Sequence, residues 1–377
     1  MLRVITVLAV SWIAIAASAP AESQTVAVDN SKAPTVAYDV DPLPLKLPKG
    51  WNFGEVLGIA INSKGDIVVL NHPGTATSGP IYGNATTTLW QFDSKGKYVR
   101  EVGAGVYGFA YGHSVRFDRH DNLWYVDKAS NSVIKFNPEG RVVMNLGRRD
   151  EGFDSFEHVN RPKMSEAKGV DALFNGATDV TFDPDDNIFI SEGYVNNRID
   201  KFNKDGDWIK AFGQYGQGGP EGDKNPANFV LAHNLAADRV GNIYVADRYN
   251  RRIQIFDRDG TFLKFLFLNA PYDKGHHPTL GNMPVNRPDQ TEPWALCITN
   301  TPTQYLYVVD SEPTRLYKMT LDGKILAMVS SSGRREFQMN WPHALACPSE
   351  NVVWVADMNN WAVKKFTIHP ERVAPPR

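Results

Sequence analysis

The chain has 377 residues, with 40 Lys and Arg against 42 Asp and Glu and a net charge of −2. Its basic residues are scattered, which leaves no electrostatic case for binding nucleic acid or an anionic membrane. Cys297 and Cys347 are the two cysteines, too few for a disulfide framework. An oxidising compartment permits a bridge, but the pair reads as two small buried hydrophobes.

Met1-Leu2-Arg3, the apolar run from Val4 to Ala17 and the small residues Ala17-Ser18-Ala19 follow the order of a secretory signal peptide. Cleavage is expected between Ala19 and Gln24, so residues 1–24 read as the signal peptide of a periplasmic or secreted protein. The apolar run is shorter than the roughly 20 residues that cross a bilayer, and no later segment comes close. No membrane span is therefore expected. Residues 25–50 carry Pro34, Pro42, Pro44 and Pro48 but no repeat, and read as an extended arm.

From residue 51 to residue 370 the chain repeats itself. Each copy has an apolar strand, an acidic or Asn-Gly-like turn, a second strand ending in Asp, Glu or Asn, and a third strand ending in an aromatic residue. Six copies are counted. Their second strands end at Asn71, Asp127, Glu192, Asp247, Asp310 and Asp357, and their third strands at Phe92, Phe136, Phe202, Phe256, Tyr317 and Phe366. One unit of three or four short strands is too small to bury both of its faces. Packing the units radially around an axis buries them and leaves only short strand edges. The predicted fold is an all-β, six-bladed β-propeller, read as a monomer.

The repeat also supplies a register. Counting back 14 residues from each second-strand end reaches Leu57, His113, Thr178, His233 and His343 in blades one, two, three, four and six. Blade five has two extra residues, which makes Trp294 its equivalent. Alternate blades stand about 120° apart in a six-bladed ring, so His113, His233 and His343 should converge on the axis. Only nine histidines occur in the chain, so three at one repeat position on alternate blades is not a chance pattern. Three imidazoles with no fourth protein ligand form the open coordination set of a catalytic zinc.

The stretch from Asn242 to Ile253 resembles the NHL repeat, and the likeness runs over residues 51 to 368. At the histidines the chain resembles the peptidyl-α-hydroxyglycine α-amidating lyases, which have a three-histidine zinc in the channel of a six-bladed propeller. Ser191-Glu192-Gly193-Tyr194-Val195-Asn196-Asn197-Arg198-Ile199 is similar to the family segment bearing the catalytic tyrosine, which places that role on Tyr194. His233-Asn234-Leu235-Ala236 through Ala246-Asp247-Arg248 is similar to the segment with a zinc histidine and a substrate-binding arginine, which places those roles on His233 and Arg248. Gly112-His113 and Trp341-Pro342-His343 match the other two ligand segments. The resemblance implies a carbinolamide substrate that is split at its C–N bond into an amide and glyoxylate.

Three departures stand out. The family has a second arginine in blade one, where this chain has Asn71-His72-Pro73-Gly74; His72 is the nearest polar substitute. Trp341 replaces a methionine. Ala344 stands where the family has a calcium-binding aspartate, so calcium loses a ligand while zinc keeps all three. Insertions at 148–176, 214–230 and 269–293, the last with His276 and His277, read as rim loops, with that histidine pair left out of the site. Three readings stay open: a zinc-dependent lyase acting on a small or peptide-like substrate, a non-enzymatic binding propeller, and a zinc-dependent hydrolase. In structural terms alone, Tyr194 is a rim aromatic and Arg248 a between-blade ion pair.

Overall fold

Short runs of β-branched and aromatic residues alternate here with tight turns, and the turns are closed by side chains. Asn62, Asp118, Asp183 and Asp238 each turn the first hairpin of their blade by accepting backbone N–H groups two and four residues ahead. Such side chains tie a turn to itself and stop the strand. The computed structural model describes residues 28–73, 87–149, 163–216, 225–271, 291–310, 314–330 and 332–373. The expected signal peptide and the pair His276 and His277 lie outside these residues, as do parts of all three rim insertions.

Six four-stranded antiparallel sheets form the six blades. The innermost strands are Glu55–Ile61, Gly112–Phe117, Asp179–Phe182, Ala232–Ala237, Pro293–Ile298 and Pro342–Ser349. Six apolar clusters lie one at each seam between neighbouring blades, and the last joins Trp90 and Phe92 of blade one to Trp354 and Val363 of blade six. The aromatic at the third-strand end anchors these seams: Phe92, Phe136, Phe202, Phe256 and Phe366 are all buried. Blade five differs from the sequence expectation. Met319 faces Leu306 there as the phenylalanines face their partners in the other blades, and Tyr317 lies two residues earlier.

Blade six is built from both ends of the chain. Within residues 25–50, Val36–Asp41 pairs antiparallel with Ala362–Val373 and supplies the outer strand of that blade. Upstream, Asn30 donates to the Gly323 carbonyl and accepts from Ile325 N–H, so the segment is also fastened to blade five. Ring closure therefore rests on strand pairing.

The cysteines are not two separate hydrophobes. Cys297 and Cys347 form a disulfide across the seam between blades five and six, with a sequence separation of 50. Their inner strands lie side by side, a neighbourhood that only the closed ring creates. A loop of that length restricts the unfolded chain enough to contribute about 4 kcal/mol. Replacing both cysteines by serine should lower Tm by roughly 5 °C. A double variant melting within about 1 °C of the parent would remove this role from the bridge.

Candidate metal centre

Five of the six expected axial residues sit at an irregularity of their inner strand, and the sixth, Thr178, directly precedes a regularly paired one. The strand pairing shifts at Leu57, His113, His233, Trp294 and His343, where one extra residue faces the second strand. A β-bulge of this kind re-aims the extra side chain, here toward the axis. The three imidazoles pack around one point, with ring centroids 4.7, 4.9 and 5.0 Å apart. One nitrogen from each lies within 4.8 Å of the other two.

The odd blades fix how these rings face. His113 Nδ1 lies 2.6 Å from the Thr178 carbonyl, His233 Nδ1 2.8 Å from that of Trp294, and His343 Nδ1 2.7 Å from that of Leu57. These are the equivalent residues of the next blade in each case. A carbonyl only accepts, so each Nδ1 carries the proton and each Nε2 presents a lone pair. Metal-binding histidines are oriented by this kind of contact. Burial pushes all three imidazoles well below their usual pKa, His343 to about 3, so they stay neutral at ordinary pH. His233 Nε2 is buried with no hydrogen-bond partner among the described residues. A buried orphan acceptor in a ring of neutral imidazoles fits a metal ion with an affinity for nitrogen.

Tyr194 and Arg248 are brought to the same place. The Tyr194 hydroxyl lies 3.1 Å from His113 Nε2. The Arg248 guanidinium stacks over Trp294, 3.2 Å from its ring centroid, and Trp294 in turn packs against His233. Arg248 is buried, its Nε and Nη2 make no hydrogen bond among the described residues, and Glu292 is 3.6 Å away. Burial lowers its pKa from the usual arginine value, and the Glu292 carboxylate counters this. Unspent guanidinium donors beside three neutral imidazoles favour an anionic ligand.

Sequence reading placed Trp294 and Trp341 beside the ligand segments but gave them no role, and it missed Lys128. Trp294 and Trp341 pack edge to face at 5.1 Å and wall the centre. Lys128 places its ammonium 4.3 Å from the Tyr111 ring centroid and 4.5 Å from that of Tyr194. It follows Asp127 as Arg248 follows Asp247, and both backbone N–H groups bond the carbonyl two residues before the histidine of their own blade. The repeat alignment that located the histidines therefore also pointed to Lys128.

Comparison with known proteins agrees with this geometry. Peptidyl-alpha-hydroxyglycine alpha-amidating lyase 1 of Drosophila melanogaster is 27% identical over 265 residues, covering 67% of this chain and 44% of that protein. Peptidyl-glycine alpha-amidating monooxygenase of Mus musculus is 25% identical over 340 residues, covering 85% of this chain and 31% of that protein. NHL repeat-containing protein 3 of Mus musculus is 28% identical over 145 residues, covering 37% of this chain and 36% of that protein. The chain is a six-bladed propeller similar to the amidating lyases and, over a shorter stretch, to an NHL repeat protein. It spans less than half the length of each of these three relatives. No protein-family model matches it. Among solved structures, a Bacteroides thetaiotaomicron protein of unknown function shares the fold, with a TM-score of 0.55 and 14% identity over 88% of this chain and 76% of that one.

Set beside the amidating lyases, the blade-one departure has a local account. His72 is buried, its Nε2 3.1 Å from the Gly112 carbonyl and its Nδ1 3.7 Å from Glu55. Contact with His72 is the main reason the Glu55 carboxyl is held below its ordinary pKa. At the blade-one position where the resemblance implies an arginine, this chain has a histidine engaged with its own blade and with blade two. Lys128 is one positive charge next to Tyr194.

Proposed function

We propose that this protein is an exported zinc-dependent lyase that cleaves the C–N bond of a carbinolamide-type substrate such as an α-hydroxyglycine peptide. The observation that carries the reading is the convergence of His113, His233 and His343, each held by a neighbouring blade, with the Tyr194 hydroxyl on one imidazole and Arg248 beside them. When bound, Zn²⁺ supplies Lewis acidity to a substrate oxygen, and three protein nitrogens leave it a free coordination position.

The residues of the chain do the rest. Arg248 binds the substrate carboxylate through its planar fork and so orients the carbinol toward the histidines. Tyr194 takes the carbinol proton as the C–N bond breaks. The electron pair of that bond leaves with nitrogen, which gains a proton and becomes the primary amide, while the carbinol carbon becomes the aldehyde of glyoxylate. A phenol is a weak base at its usual pKa of about 10. Lys128 and Arg248 bring positive charge beside the ring.

Export is proposed on the signal-like residues 1–24 together with the Cys297–Cys347 bridge, since disulfides persist in oxidising compartments. The direct test is release of glyoxylate from an α-hydroxyglycine peptide by the purified, zinc-loaded protein. Release is expected to be stoichiometric with amide formation. No release at full metal occupancy would reject this substrate class and leave the hydrolase and binding-propeller readings.

A further inference from the structure

Below the histidines the channel holds a second polar assembly that the proposed chemistry does not use. Arg116 lies three residues beyond His113 on the inner strand of blade two, about 10 Å further along the axis at ordinary strand rise. Its Nη2 is 2.6 Å from Asp179 Oδ2, 3.0 Å from Asn234 Oδ1, 3.1 Å from the Leu235 carbonyl and 3.4 Å from the Leu296 carbonyl. Its Nε lies 3.1 Å from Asp179 Oδ1. These partners come from blades three, four and five, and blade five is opposite blade two in a ring of six. The guanidinium therefore reaches across the channel.

One nitrogen with two N–H groups cannot direct hydrogen bonds to four oxygens. The arrangement is a charge surrounded by a carboxylate, an amide oxygen and two carbonyls, the donor set that a hard cation such as calcium takes. Asp179 has no remaining capacity, since it also accepts from the Ser114 hydroxyl and from Leu235 N–H. The residues one past the axial position are Gly58, Ser114, Asp179, Asn234, Ala295 and Ala344. The carboxylate of this ring stands in blade three beside a guanidinium, and Ala344 in blade six offers no ligand atom. The channel as built does not fit calcium.

We propose that Arg116 is a built-in cation: it occupies the oxygen cage of the channel, closes the passage beneath the metal centre, and makes the propeller independent of calcium. Ligands then reach the histidines only from the side of Tyr194 and Arg248. The test is thermal melting of the zinc-loaded protein in calcium-free buffer and in millimolar CaCl₂. The wild type should melt at the same temperature in both. Arg116→Ala should melt at least roughly 5 °C lower in calcium-free buffer, because Asp179 is left buried and unpaired, and calcium should restore part of that loss. Arg116→Lys keeps the charge, so it should fold and ignore calcium even where the alanine variant fails to fold. A wild-type or Arg116→Lys protein that responds to calcium would overturn the proposal. So would an Arg116→Ala protein that melts like the wild type, or one that is destabilised yet unmoved by calcium.

Discussion

Replacing any one of His113, His233 or His343 by alanine should cut metal affinity at least roughly 100-fold, since loss of a contact that merely orients a ligand already costs 10- to 100-fold. The three positions are equivalent by repeat register, by strand irregularity and by a Nδ1 contact to the next blade, so the three losses should be similar. Each substitution also strips the carbonyl of Thr178, Trp294 or Leu57 of its donor, at a cost of about 1–3 kcal/mol. The variants should therefore fold with a lowered Tm, and metal is best counted per folded chain by elemental analysis. His120, exposed and paired with Asp186 on the outer surface, is the control whose replacement should leave metal content unchanged. Full occupancy in all three channel variants would remove the metal centre from this protein.

Tyr194→Phe should keep the metal and lose roughly 10²- to 10⁴-fold in kcat, because it deletes the proton acceptor without deleting a ligand. The ring survives the change, so the stack with Lys128 does too, and the fold should be little affected. Arg248 calls for a different probe. Its guanidinium is packed on Trp294 and buried, so truncation to alanine would open a cavity as well as remove a charge. Arg248→Lys keeps the charge and loses the fork, and should raise KM for a carboxylate-bearing substrate roughly 10- to 100-fold with a smaller change in kcat. The split between a kcat effect at Tyr194 and a KM effect at Arg248 separates a proton acceptor from a binding group. Wild-type turnover in Tyr194→Phe would exclude the hydroxyl from the reaction.

Much of this protein is written in local pattern. Strands with a period of two, turn residues at fixed offsets and a motif recurring six times determined the fold class, because each blade obeys the same local rules and no single blade can bury both faces. Repeat register alone selected the three histidines, since equivalent positions in a closed ring share one radius. It also held the means to find Lys128, which occupies the place in blade two that Arg248 occupies in blade four.

What the tertiary structure decided depends on contacts between distant residues. Nothing in the composition around Cys297 and Cys347 distinguishes a bridged pair from two buried thiols; the apposition of two inner strands does. The arm residues Val36–Asp41 have no repeat of their own and become a strand only against Ala362–Val373. Trp294 and Trp341 meet across the seam between blades five and six, and Arg116 finds its oxygens on three other blades. Strand propensity and turn chemistry act over a few residues and so survive in the sequence. Partners across a channel are chosen by ring closure, which juxtaposes side chains that share no local signal.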